Sequence, residues 1–200
     1  MIKTIIYDIG NVLMSWDWTG HTKRLFGEEL GKKVFDATAG SPFWEELDRG
    51  VLQLEDVIDG MCRQVPELEE QIRYAFTHTE GVSEPRDYAI PWVQEMKEKG
   101  YRVLYLSNYS IWAMMMNPKS LAFIPHMDGG VFSCYEKLVK PDMAIYWKIC
   151  KNYDLDPAQC LFLDDTMVNV RAAITFGMHS LQFKDYETSY PEIMNYLQEH

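Results

Sequence analysis

Four stretches of the chain end in residues that could do chemistry together. Ile5-Ile6-Tyr7 runs into Asp8, Val103-Leu104-Tyr105-Leu106 into Ser107-Asn108, and Cys160-Leu161-Phe162-Leu163 into Asp164-Asp165, while Lys140 stands directly before Pro141. An aspartate can attack phosphorus or carbon and form a covalent intermediate that water then hydrolyses. Asp8 is the candidate for that role. A phosphate ester would bring two more negative charges beside these carboxylates, and something must offset the repulsion. A hard divalent cation on oxygen ligands does so, and Mg²⁺ commonly takes one or two carboxylates and keeps several waters. Asp164-Asp165 offers the second carboxylate, and a backbone carbonyl can be another ligand. Lys140 is a mobile point charge for the phosphate and for Asp8. Ser107 and nearby N–H groups can hold phosphoryl oxygens. Singly, each residue has an ordinary reading as a helix cap, a turn residue or a solvated lysine. Their order along the chain joins them.

The elements that must position them are short apolar strands. Runs this short read as buried central strands, expected over Lys3–Asp8, Arg102–Leu106, Val131–Tyr135, Cys160–Asp164 and His179–Phe183. Helical spacing falls between them. Trp92, Val93 and Met96 share a face that ends at Gly100, and Ile111–Met116 is a Met-rich helix. Pro141 opens a helix with Met143, Tyr146, Trp147 and Cys150 on its apolar face. Met167–Phe176 ends at Gly177, and a last helix covers Tyr190–Leu197. Alternating strands and helices predict an α/β, Rossmann-like fold with a parallel five-stranded sheet and helices on both faces. Such sheets bind ligands at the carboxyl ends of the strands, where Asp8, Ser107 and Asp164-Asp165 would meet. From Trp16 to Gly81 there is no comparable strand. Leu30 and Val34, then Leu54, Val57, Ile58 and Met61, then Leu68, Ile72, Ala75 and Phe76 carry helical spacing instead. The expected organisation is a core of residues 1–15 and 82–200 with a helical insertion, 16–81, hanging over the crevice as a cap.

Composition narrows the function classes. Two hundred residues at 47% hydrophobic content suit one packed core with a modest insertion. A net charge of −11 argues against non-specific nucleic-acid binding, which needs a basic footprint. The four cysteines, Cys62, Cys134, Cys150 and Cys160, have no C-x-x-C spacing, and this usage fits a reducing compartment. No signal peptide and no membrane-spanning run is read. The expectation is a cytoplasmic protein with a small phosphorylated substrate and no obligate protein partner.

On these motifs the sequence resembles the haloacid dehalogenase-like hydrolases over essentially the whole chain. Asp8-Ile9-Gly10 matches the family's Asp-x-Asp with one departure, and Ser107 matches its strand-end Ser or Thr. Lys140 matches its lysine before a helix, and Asp164-Asp165 with Asn169 matches its acidic motif. The insertion lies where one large group of the family carries its cap. The resemblance implies a strand order of 5-4-1-2-3, Asp8 as nucleophile, and Mg²⁺ held by Asp8, the Gly10 carbonyl and Asp165. It further implies that Asp164 and Asn169 support that site, and that Ser107, Asn108 and Lys140 hold the phosphoryl group. Asp8-Ile9-Gly10-Asn11-Val12 and Phe43–Gly50 are similar to a bacterial subgroup that includes a sugar-1-phosphate phosphatase. The implied activity is Mg²⁺-dependent hydrolysis of a small phosphate, a sugar phosphate by that likeness. The alternatives are a dehalogenase, a phosphonatase, or a weakened phospholigand-binding protein. The departure is Gly10, where most family phosphatases carry the acid that protonates the leaving alcohol. Asp17, His21 or a cap residue could stand in for it. Without a stand-in, esters with acidic leaving groups should turn over best.

Overall fold

The computed structural model describes all 200 residues. In chain order its elements are β1 (Thr4–Tyr7), β2 (Met14–Trp16), α1 (Trp18–Ala37), α2 (Pro42–Arg49), α3 (Leu54–Gln64), α4 (Glu69–Thr77), β3 (Ser83–Pro85), α5 (Ala89–Glu98), β4 (Arg102–Ser107) and α6 (Ile111–Met116). They continue with β5 (Gly130–Phe132), α7 (Ser133–Glu136), α8 (Met143–Tyr153), β6 (Cys160–Asp164), α9 (Met167–Phe176), β7 (His179–Gln182) and α10 (Tyr186–Glu199). Five strands form one parallel sheet in the order β5-β4-β1-β6-β7. Counting only these five, that is the expected 5-4-1-2-3 read from the opposite edge.

β1 is central because both of its faces are apolar. Ile5 and Tyr7 join Trp92, Val93, Met96, Ile193 and Leu197 on the side of α5 and α10. Ile6 joins Ile145, Tyr146, Ile149 and Ala173 on the side of α8 and α9. Each such side chain contributes roughly 1.5–3 kcal/mol on burial, so the strand that ends in Asp8 is anchored from both layers. A third apolar cluster lies within α1–α4 and includes Val34, Leu47, Val57, Ile58, Met61, Ile72 and Phe76. The chain leaves the sheet through β2 and returns through β3, which pair antiparallel as Met14–Pro85, Ser15–Glu84 and Trp16–Ser83.

Several details differ from expectation. β5 stops at Phe132, because Ser133–Glu136 turns into a short helix. Pro141 lies before α8 rather than inside it, and the buried face of that helix is Ile145, Tyr146, Ile149 and Cys150. Met143 and Trp147 are exposed, and Trp147 instead carries Lys151 over its ring at 4.6 Å. α10 begins at Tyr186, capped by Asp185, with Pro191 inside it. α1 is broken at Gly27, where φ is 79°. α2 and the β2–β3 ribbon have no counterpart in the expected elements. The four cysteines are buried free thiols, and no helix is long and apolar enough to cross a membrane.

Candidate active site

Parallel register brings the strand ends to one edge. Tyr7 lies beside Tyr105 and Leu163, so Asp8, the Ser107-Asn108 turn and Asp164-Asp165 follow one another along the carboxyl rim. They border a cavity of about 550 Å³. Asp8, Gly10, Ser107, Asn108, Lys140, Asp165 and Asn169 all line it, and Asp164 is fully buried behind them.

Lys140 organises this floor. Its ammonium is 2.7 Å from Asp164 Oδ2 and 2.8 Å from Asp8 Oδ1. The first contact is a hydrogen bond. The second is an ion pair, and it is the one partner of the Asp8 carboxylate within the chain. Asp164 is saturated, because it also accepts from Thr166 N at 2.8 Å and from Asn169 Nδ2 at 3.1 Å on each oxygen. Asn169 is held in turn by Tyr146, whose hydroxyl donates to its carbonyl at 3.0 Å. Asn108 grips the lysine's backbone. Its Oδ1 accepts from Lys140 N at 2.8 Å and its Nδ2 donates to Lys140 O at 2.9 Å. The Asn108 side chain is therefore committed to placing Lys140. Ser107 is buried at the rim of the same cavity.

Electrostatics follow from this crowding. Burial pushes Asp8 up to about 7, Lys140 opposes the shift, and Asp164 and Asp165 add to it. Burial works against the Lys140 charge, but Asp164 and Asp8 outweigh it and hold the ammonium well above the ordinary lysine range. Burial also raises Asp165, against the hydrogen bond from Asn11.

Asn11 is a site residue that the sequence reading did not assign. It sits at φ 57°, a left-handed conformation that Asn tolerates better than most residues. From there its Nδ2 donates to Asp165 Oδ2 at 3.1 Å and its Oδ1 accepts from Trp16 N at 3.0 Å. The signal for it is an Asn directly after the glycine of the first motif.

The roof comes from the end of β2, from α2 with the turn before it, and from α6. Trp16, Ala39, Trp44, Asp48 and Ala113 line the cavity there, with Tyr109 between roof and floor. Trp16 is 6.5 Å from Trp44 and 6.1 Å from Tyr109, ring centre to ring centre. Neither of the two named stand-ins for the missing acid reaches the cavity. Asp17 caps α1 through Gly20 N at 2.7 Å and pairs with Arg24 at 2.9 Å. His21 is buried against Trp18, with Nε2 3.1 Å from Ala75 O. The cap acid that does reach it is Asp48.

The floor suits a hard divalent cation. Carboxylate oxygens of Asp8, Asp164 and Asp165 lie within 4.8 Å of one another. Asp164 is spent on Lys140, Thr166 and Asn169, which leaves the under-partnered Asp8 and Asp165, beside Gly10, facing the cavity. All donors are oxygens, the set that Mg²⁺ prefers.

Known proteins resemble the chain along most of its length. The profile of the haloacid dehalogenase-like hydrolases matches residues 2–177. The chain is 26% identical to a sesquiterpene phosphatase of Aspergillus oryzae, over 92% of this chain and 90% of that protein. It is 25% identical to a flavin mononucleotide hydrolase of Arabidopsis thaliana over 72% of its length, and spans 58% of that relative. A Bacteroides thetaiotaomicron enzyme of the same superfamily, crystallised with magnesium and inorganic phosphate, superposes with a TM-score of 0.69 at 19% identity. That match covers 92% of this chain and 95% of the other.

Proposed function

The chain belongs to the haloacid dehalogenase-like hydrolase family, and we propose that it is a Mg²⁺-dependent phosphatase that acts through an aspartyl-phosphate on Asp8. Residues 16–81 are its cap, and residues 1–15 with 82–200 its core. The observation that carries this reading is the floor of the cavity. There the Asp8 carboxylate lines the cavity and is paired only with Lys140, at 2.8 Å.

Asp8 attacks phosphorus, the bond from phosphorus to the ester oxygen breaks, and the phosphoryl group passes to the carboxylate. Lys140 and Ser107 hold phosphoryl oxygens, with Lys140 fixed by Asn108 and Asp164. Asp8, the Gly10 carbonyl and Asp165 would hold Mg²⁺, which supplies charge neutralisation and polarisation of the phosphoryl oxygens. Asp164 and Asn169 keep that set in place. Water then attacks phosphorus and returns Asp8 as a carboxylate. A dehalogenase needs no cation and has no use for three carboxylates within 4.8 Å, so the cluster favours phosphoryl transfer.

The substrate is a small phosphomonoester. A sugar phosphate fits the 550 Å³ cavity by laying a C–H face on Trp16 or Trp44. A second reading, an alcohol with an extended apolar or aromatic body, is favoured by the relatives named for sesquiterpene and flavin phosphates. It is favoured also by an apolar cavity of about 450 Å³ lined by Leu47, Phe76, Trp112 and Met116. Phosphate release from a panel of sugar, flavin and isoprenoid monophosphates, with Mg²⁺ and with excess chelator, tests both. Mg²⁺-dependent turnover supports the phosphatase and its best ester names the class. Full activity in chelator sinks it.

A further inference from the structure

An alcohol expelled from phosphorus must collect a proton unless it is acidic enough to leave as its anion. Gly10 has no side chain to give one, although the space exists. A Cβ there would meet nothing closer than Trp16 Cβ at 3.8 Å. We infer that Asp48 is the proton donor to the leaving oxygen and the base that afterwards activates water, an assignment that rests on the phosphatase reading above.

Three observations carry it. First, apart from the Tyr109 phenol, which burial holds well above the ordinary tyrosine range, the ionisable residues lining the cavity are Asp8, Asp48, Lys140 and Asp165. Three of these belong to the floor and are engaged there, by each other or by Asn11 and Thr166. Asp48 alone comes from the roof. In phosphoryl transfer the attacking and leaving oxygens lie roughly in line, so attack by Asp8 from the floor sends the leaving oxygen towards the roof. Second, Asp48 is uncommitted. The other acids of α2, Glu45 and Glu46, pair with Arg49, whereas the Asp48 carboxylate makes no hydrogen bond or ion pair within the chain. Third, its backbone is fastened to the core. Ser133 Oγ donates to Asp48 O at 2.6 Å and accepts from Tyr109 N at 2.9 Å, two residues beyond Ser107. Next to it, Gly50 sits at φ 67°, where a Cβ would come within 2.8 Å of Cys134 O. Lys137 Nζ donates to Gly50 O. The end of α2 is thus pressed onto α7 with Asp48 fixed over the floor.

The electrostatic setting agrees. Burial raises the Asp48 carboxyl to about 7, with Asp8 and Glu45 adding and Lys140 opposing, so a share of it is protonated near neutrality. In the first step the bond from phosphorus to the ester oxygen breaks, its electron pair stays on that oxygen, and the Asp48 proton moves there. In the second step the Asp48 carboxylate takes a proton from water as the water oxygen bonds to phosphorus. The bond from phosphorus to Asp8 breaks with its pair returning to Asp8, and Asp48 is again protonated. On this assignment alkyl phosphates turn over too, in place of the preference for acidic leaving groups that Gly10 alone predicts.

The test is kcat/KM for the wild type, Asp48→Asn and Asp48→Glu on esters from aryl to alkyl phosphates, with Mg²⁺ present. Asp48→Asn should keep kcat/KM for aryl phosphates, which reports the first step alone, within a few-fold, and this also reports that it folds. Its kcat should fall on every ester because the base for water is lost. Its kcat/KM should fall roughly 10²–10⁴-fold on alkyl phosphates, and Asp48→Glu should recover part of that loss. An equal loss of kcat/KM on every ester, or no loss on any, would overturn the role of Asp48 while leaving the phosphatase intact. A wild type that releases phosphate from none of them would overturn the phosphatase reading and this inference with it.

Discussion

The floor of the cavity and its roof are built on opposite terms. At the floor, Lys140, Asp164, Asn169 and Asn108 bind one another so fully that each side chain has a fixed place. At the roof, Trp16 and Trp44 present broad aromatic faces, and the Asp48 carboxylate has no partner in the chain. Buried polar networks are stable only when every member is satisfied. The floor accordingly has one arrangement, fit to position a phosphoryl group that is the same in every ester. Aromatic surface makes few directional demands, so the roof can meet alcohols of different shape. On the proposed reading the sheet edge carries out phosphoryl transfer, and the roof meets the alcohol, with Asp48 supplying its proton.

The largest effect should come from the floor. Asp8→Asn removes the attacking oxygen and should lower kcat by several orders of magnitude with KM for the ester changed little, read by steady-state kinetics. Residual turnover at a substantial fraction of wild type would remove Asp8 from the reaction. Lys140→Met should be next, because it strands Asp164 as a fully buried charge. Breaking a buried pair in this way typically costs about 3–5 kcal/mol, measurable by denaturant unfolding. An unchanged midpoint would show that Asp164 does not depend on Lys140.

Magnesium binding gives a subtler reading of the same region. In the metal-free protein Asp8 ionises at about 7, and a carboxylate must lose its proton to serve as a ligand. Below that pH the proton and the cation compete. Apparent Mg²⁺ affinity should therefore fall as pH drops through about 7, by roughly tenfold per unit for one displaced proton, and level off above it. Calorimetry between pH 5 and 8 measures this, and a flat profile would exclude Asp8 from the ligand set. At the roof, Trp44→Ala should mainly raise KM, by about tenfold, and leave kcat nearly unchanged, since the face it offers is used in ground state and transition state alike. A loss confined to kcat would mean that the roof takes part in the chemistry through more than Asp48.

The same division decides how much was legible in the sequence. The floor sits at the ends of short apolar strands, and strand followed by a polar end is a local pattern. Asp8, Ser107, Lys140 and Asp164-Asp165 could be picked out before any fold was known, and parallel register then brought them together. The roof depends on tertiary placement. α2 did carry local signals, with Ser41 as its cap, Pro42 in its first turn and Gly50 at its end. Its eight residues are nevertheless too few for helical periodicity to stand out, and nothing local says that Asp48 lines the same cavity as Asp8. The β2–β3 ribbon is three residues a side, too short for alternation to show, and it exists because the two chain crossings lie side by side. On α8 the apolar pattern is rotated by one position, since Met143 and Trp147 are apolar residues left at the surface. Hydrophobicity alone does not distinguish them from Ile145 and Ile149.

Transfer of the phosphoryl group to Asp8 can be tested directly. The protein is mixed with Mg²⁺ and its best ester, quenched in acid within the first turnover, digested, and the peptide containing Asp8 is weighed. The expected result is the mass of one added phosphoryl group on Asp8, absent after Asp8→Asn and absent in chelator. Phosphate released at full rate with Asp8 unmodified at every quench time, or with the phosphoryl group on another residue, would contradict it.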